Sequence, residues 1–342
     1  MRIAYFVHGR GRGHASRARA VLARLEAEGH ELHVFGGGDA VALLNDRRDF
    51  TEVEPCLPGR GLVTLAWHRW CQDVARLRRL TPDVIVTDGD LAAAHAALYL
   101  RVPAVAVGHG ILYGRCRLGP GLPRFGRLRE ALRAASSSWP CGHHVVVHFA
   151  PVEAWASRTT IARPALPPGL RPQQPADFGL AYFRDGNGEA VLRQLAARGH
   201  RVVYFGRQIA AIPGMTRHPL DPNAFADHLA RCRFVVGSAG NHLPAECAMM
   251  EKPMLAVYAP GDVEHQMNAQ LIEAAGIGIA ARLDHVTPAL LDRLELHLTR
   301  SMHQVAKRVR GMTPVSAAVI QCLRDLTQGA GEVRQDATHL RY

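Results

Sequence analysis

Side chains able to move a proton or hold a phosphate gather at two glycine-rich turns of this chain. The first reads His8-Gly-Arg-Gly-Arg-Gly-His14-Ala-Ser-Arg17 and follows the apolar run Arg2 to Val7. Strand, glycine turn and helix in that order aim backbone N–H groups at the carboxyl edge of a parallel sheet, where ligands bind. Gly9-x-Gly11-x-Gly13 invites a dinucleotide reading. That fingerprint needs glycine where His14 stands, and an acid where the second strand ends in Gly36. An imidazole at a helix N-terminus faces the positive end of the dipole, which keeps it available as a base. A simple helix cap is the other reading of His14. Arg10, Arg12 and Arg17 flank the turn, either as a forked clamp for an anionic acceptor or as a solvated rim.

The second turn follows the β-rich run Phe234 to Val236. Gly237 and Gly240 let the backbone reverse, and Pro244 suits the first turn of the helix that follows. Gly240, Asn241, His242 and Leu243 then offer main-chain N–H groups to a diphosphate. Glu246, one turn further, is placed to accept hydrogen bonds from a ribose diol. Lys252-Pro253 closes the helix and Met254 to Tyr258 forms the next strand. Asp262, Glu264, His265 and Gln266 read as a loop, with Asn268-Ala269 opening another helix.

These segments resemble GT-B glycosyltransferases, and among them the bacterial MurG-like enzymes and the wider UDP-sugar transferase group. The shared features are the glycine turn, the helix-borne Glu246, Lys252-x before a strand, and an acidic-Gln pair shortly before Asn268-Ala269. Counted back from Asn268, that pair falls on Glu264 and His265, with Gln266 one place late. Ser238 and Ala239 stand where plant-type members place a histidine. The resemblance implies two Rossmann-like α/β domains facing a cleft, with a nucleotide diphosphate sugar (UDP or dTDP) in the C-terminal half. It implies inversion without a metal or other cofactor. Glu264, His265 and Gln266 would meet the sugar hydroxyls and His14 the acceptor hydroxyl. A UDP-sugar 2-epimerase and a non-catalytic nucleotide-sugar binder remain as alternatives.

Thr87-Asp88-Gly-Asp90 ends another strand at the same edge. Asp-x-Asp holds a divalent metal in a different transferase class, whereas here Asp88 is read as orienting His14. His109, in Gly108-His-Gly110, is read as an acceptor contact. Cys141, His143, His144 and His148 lie on a strand pattern without zinc spacing. No Gly-x-Ser-x-Gly, Walker lysine or His-Glu-x-x-His occurs.

Strands and helices alternate from Arg2 to Val107 and again from Asp177, as in parallel sheets covered on both faces. Five prolines between Pro164 and Pro175 mark a linker. The expected plan is an acceptor domain over 1–163, linker 164–176, donor domain 177–310, a helix crossing back over 311–327 and a loose tail over 328–342. "Helix, Gly-His, strand, Gly" occurs at Gly29 to Gly36 and at Gly199 to Gly206, which suggests two similar halves. A length of 342 residues suits two domains of roughly 150. Seven cysteines without a Cys-x-x-Cys pair suggest reduced thiols and a cytoplasmic site. No apolar run approaches the ~18 residues of a membrane span. The formal charge of +11 with 6% aromatics favours an anionic small molecule, acceptor or membrane surface over nucleic acid. Arg115 to Arg133 carry six arginines against Glu130, with Leu122, Phe125, Leu128 and Leu132 at helical spacing. That stretch is either an amphipathic surface helix or a peripheral contact with the inner membrane face. Trp67 and Trp70 share a helix face and are expected in the core or the acceptor cleft wall.

Overall fold

The computed structural model describes residues 1–57, 59, 61–119, 121–167, 169–183, 188–206 and 211–339, with side chains for all but Arg12 and 328–339. Most of the turn expected at Arg184 to Gly188 lies outside the described residues. The N-terminal half is built on β1 (Arg2–Val7), β2 (Glu31–Gly36), β3 (Phe50–Glu52), β4 (Val84–Asp88), β5 (Ala104–Gly108), β7 (His143–Val147) and β9 (Thr159–Ala162). Two short strands, β6 (Cys116–Arg117) and β8 (Glu153–Ala154), pair antiparallel beside it. The main sheet has the order β3-β2-β1-β4-β5-β7-β9 and is parallel throughout. β1 alternates strictly. Ile3, Tyr5 and Val7 face the helix Arg12–Ala27 and the last helix, while Ala4 and Phe6 face the other helix layer. Both faces are covered, so the strand is apolar along its length.

The C-terminal half repeats the plan with β10 (Gly179–Tyr182), β11 (Val202–Phe205), β12 (Met215–His218), β13 (Phe234–Ser238), β14 (Met254–Tyr258) and β15 (Gly278–Arg282), in the order β12-β11-β10-β13-β14-β15. Its strands are also all parallel. The repeat reaches the backbone. Gly29 and Gly199 end their helices at φ 77° and 78°, and His30 and His200 donate N–H to Leu25 and Leu195 in the same cap. In each sheet the strand order reverses beside the first strand of the half, and that switch point is where ligands enter such sheets. The two switch points lie between β1 and β4 and between β10 and β13.

The last helix, Val315–His339, returns to the first half, where Val315, Ala318, Val319 and Leu323 join its core. Its backbone runs through the residues expected to form a loose tail as far as His339, and 340–342 lie outside the described residues. Of the two readings of Trp67, the core is excluded, while Trp70 packs against it. Trp67 is 64% exposed and stacks on Trp70 on the outer side of the helix Leu62–Leu80. That helix buries Arg69, Asp73, Val74 and Leu77 instead, a stripe that leaves Trp67 outside. No helix among the described residues is long and apolar enough to cross a membrane.

The halves touch at helix Arg124–Ser138 of the first and helix Val263–Ala274 of the second. Gly126 makes this possible, since a Cβ there would stand 2.5 Å from Val263 Cγ1. Gly126→Ile is therefore expected to hold the halves apart without unfolding either. Small-angle scattering should show a larger radius of gyration than wild type, and an unchanged value would refute the close approach.

Candidate functional site

The first glycine turn is shaped by contacts that exclude side chains. A Cβ on Gly9 would stand 2.3 Å from Pro55 Cβ. Gly11 adopts φ 86° and gives its N–H to Asp39 Oδ2 at 2.6 Å. The helix starts at Arg12, directly after Gly11, so His14 falls in its first turn.

His14 Nδ1 lies 2.5 Å from Asp88 Oδ1, at the end of β4 and 74 residues away in sequence. Asp88 accepts there, so Nδ1 carries the proton and Nε2 presents its lone pair. The His14 side chain is 30% exposed, and that of Asp88 is fully enclosed. Burial alone would raise the Asp88 carboxyl, but Arg17 and His14 outweigh it and hold it at about 2. Asp90 takes a different part. It caps the helix Leu91–Leu100 through Ala93 N–H and pairs with buried Arg69, so the two acids of the Asp-x-Asp do not share a ligand.

Arg17 is not on the rim. Its guanidinium is buried, Nε donates to Asp88 Oδ2 at 2.7 Å, and Nη2 donates to Oδ1. Three residues after His14 on one helix, it faces inward with it and has no reach to an acceptor in the cleft. Arg10 is exposed at the turn, and the Arg12 side chain lies outside the described residues. His109 is also committed elsewhere. It is buried, with Nδ1 3.1 Å from Val147 O and Nε2 2.8 Å from Asn268 Oδ1 in the other half. Tyr113 Oη donates to the same Asn268 oxygen at 2.9 Å, and Asn268 Nδ2 donates to Ala239 O at 3.1 Å. Asn268 and Tyr113 are the residues that sequence reasoning missed as a bridge between the halves. Asn268 was visible only as part of a motif.

The second turn leads into the helix His242–Met249. Its first N–H groups have no partner within the helix. Asn241 turns its Nδ2 to Val147 O across the cleft at 3.0 Å. His242 closes on the first turn, where a Cβ on Gly13 would stand 3.1 Å from its Nδ1. Burial, with Arg17 and His14 nearby, pushes His242 down to about 3, so its ring is neutral. Glu246 is partly exposed, and burial of its carboxyl raises it to about 7. Asp262 caps the next helix through His265 N–H at 3.0 Å. Glu264, His265 and Gln266 therefore sit in the helix Val263–Ala274 and not on a loop. His265 is buried against a ≈ 10 Å³ cavity with Phe183, Ser238 and Tyr258, while Glu264 and Gln266 are partly exposed. A larger cavity, ≈ 210 Å³, lies by Phe178, Arg201 and Gly214 at the amino ends of the strands, away from both turns.

Two helix N-termini thus meet, one bearing the His14–Asp88 pair and the other bringing His242 against Gly13. Residues 1–57 and 62–298 match the model of glycosyl transferase family 1. The chain belongs to that family. As a glycosyltransferase it shares its whole plan with solved structures of low identity. MurG of Acinetobacter baumannii is 15% identical with TM-score 0.64, covering 96% of this chain and 99% of that one. The Streptomyces sp. SF2575 glycosyltransferase SsfS6, complexed with thymidine diphosphate, is 17% identical with TM-score 0.62, covering 95% and 99%. A UDP-GlcNAc 2-epimerase from Neisseria meningitidis, bound to UDP-GlcNAc, is 11% identical with TM-score 0.63, covering 95% and 100%. At such identities the likeness is one of fold, the GT-B arrangement of two Rossmann-like halves. No curated protein matches the sequence.

The Glu246 carboxyl yields a stability test. Its folded value lies above its ordinary 4.5, so its contribution is complete below 4.5 and lost as pH rises through about 7. Thermal melts should show wild type falling relative to Glu246→Gln across that window. Parallel curves would contradict the burial of this carboxyl.

Proposed function

We propose that this glycosyltransferase moves a hexosyl group from a UDP- or dTDP-sugar to a hydroxyl or amine, with inversion and without a metal. The observation that carries the proposal is the His14–Asp88 pair, with the N-terminus of the helix His242–Met249 brought against its turn by the His242–Gly13 contact. Asp88 fixes the tautomer, so Nε2 of His14 removes the acceptor proton as the acceptor oxygen or nitrogen bonds to the anomeric carbon. The bond from that carbon to the diphosphate oxygen breaks on the opposite face. The amides and dipole of the helix His242–Met249 receive the leaving charge. Glu246 holds the ribose diol, with Gly240 in the turn before it, and Glu264, His265 and Gln266 meet the sugar. Partial exposure of His14 on the cleft side supports turnover over mere binding. Commitment of Asp88 to Arg17 and His14 leaves no free acid there, which favours transfer over 2-epimerisation.

The acceptor side includes a surface suited to an anionic membrane. Helices Leu62–Leu80, Leu91–Leu100 and Arg124–Ser138 pack side by side. They expose Trp67, Tyr99, Phe125, Leu128 and Leu132 beside Arg78, Arg79, Arg124, Arg129 and Arg133. Their only acids, Asp73 and Glu130, are buried. An apolar face rimmed by cations and free of exposed carboxylates fits an anionic lipid surface.

His14→Ala should lower turnover of the accepted donor by about 10²-fold or more with donor affinity near wild type, while Glu246→Gln should weaken donor binding. Retained turnover in His14→Ala would remove the proposed base. In co-sedimentation, wild type should bind phosphatidylglycerol vesicles and ignore phosphatidylcholine ones. Trp67→Ser/Phe125→Ser should bind neither, and equal recovery of wild type with both would count against the lipid surface.

A further inference from the structure

Asp88 has two partners, and the reaction above uses only one. Arg17 occupies both carboxylate oxygens, sharing Oδ1 with His14 Nδ1. We propose that Arg17 is a positioning residue that cancels the charge of Asp88, so that the imidazole of His14 stays neutral and keeps Nε2 open as a base. The inference rests on the reading of His14 as the base.

The argument is one of charge balance in an enclosed place. A carboxylate without exposure needs a cation or several hydrogen-bond donors beside it. With His14 as its only partner, Asp88 would favour the imidazolium and raise the pH below which Nε2 is protonated. Among the described residues around His14, the following groups bear on its charge, with Asp90 and Arg133 further off beside His8. His8, at the end of β1 with its ring 5.1 Å away, is pushed down to about 4 by burial first and then by His14. His242, from the opposite half, is pushed down to about 3. Tyr5 lies beneath, with an enclosed phenol that burial keeps protonated. Of these groups, Arg133 apart, only Arg17 carries positive charge near neutral pH. Its fork also fixes the carboxylate plane and keeps Oδ1 turned toward His14.

The test compares wild type, Arg17→Met, Arg17→Lys and Arg17→Met/Asp88→Asn, with His14 followed by NMR titration and assigned through His14→Gln. In Arg17→Met, the His14 midpoint and the acid limb of kcat/KM for donor turnover should both move up by about one pH unit or more. Arg17→Lys should restore most of the wild-type profile, and the double variant, with both charges gone, should return the midpoint close to wild type. Should Arg17→Met fail to fold, Arg17→Gln keeps a hydrogen bond to the carboxylate without the charge and gives the same comparison. A His14 midpoint unmoved by loss of the charge overturns the proposal. Because the NMR readout needs no turnover, a shifted midpoint in a protein that turns over no donor would keep this inference and defeat the transferase reading.

Discussion

A carboxylate enclosed at the end of β4 sets the terms for the first half of this molecule. Asp88 has no solvent to stabilise it, so its charge is met within the protein by the Arg17 fork and the His14 imidazole. Both come from one helix, three residues apart, and so that helix must begin close to the sheet edge. Gly9 and Gly11 make the approach possible, one by lacking a side chain against Pro55 and the other by its left-handed backbone. The strand order supplies the rest, because β1 and β4 are neighbours and the loops after them open at the switch point.

The second half meets this edge with its own amides. Contact between the halves is both apolar, with Met267 in the core of the first half and Phe149 in that of the second, and polar. Asn268 receives His109 and Tyr113 from the first half and donates to Ala239 in its own, while Asn241 reaches Val147. These groups fix the angle at which the two helix N-termini face each other. Glu246 sits one turn behind the amides, where burial raises its carboxyl to about 7.

Much of the fold was legible because its signals are local. Alternating apolar runs and helical spacings gave the two parallel sheets, and the glycines at 29 and 199 marked helix ends that carry the same left-handed backbone. Element ends were less legible. Side-chain details moved them, as when Asp262 drew Glu264 to Gln266 into a helix. The core reading of Trp67 was overturned because Arg69 and Asp73, which look like surface residues, are buried as a pair with Asp90. A buried ion pair reverses the hydrophobic pattern on which such readings rest.

The sequence by itself determined two α/β halves, two glycine turns opening helices at sheet edges, and the residues placed there, because backbone preference and periodicity act over a few neighbours. Only the tertiary structure decided that Arg17 turns inward and that His109 serves the seam through Asn268, 159 residues away. Those pairings depend on strand order and on how the halves close. No local signal carries them, since the partners become neighbours only after the chain has folded across both sheets.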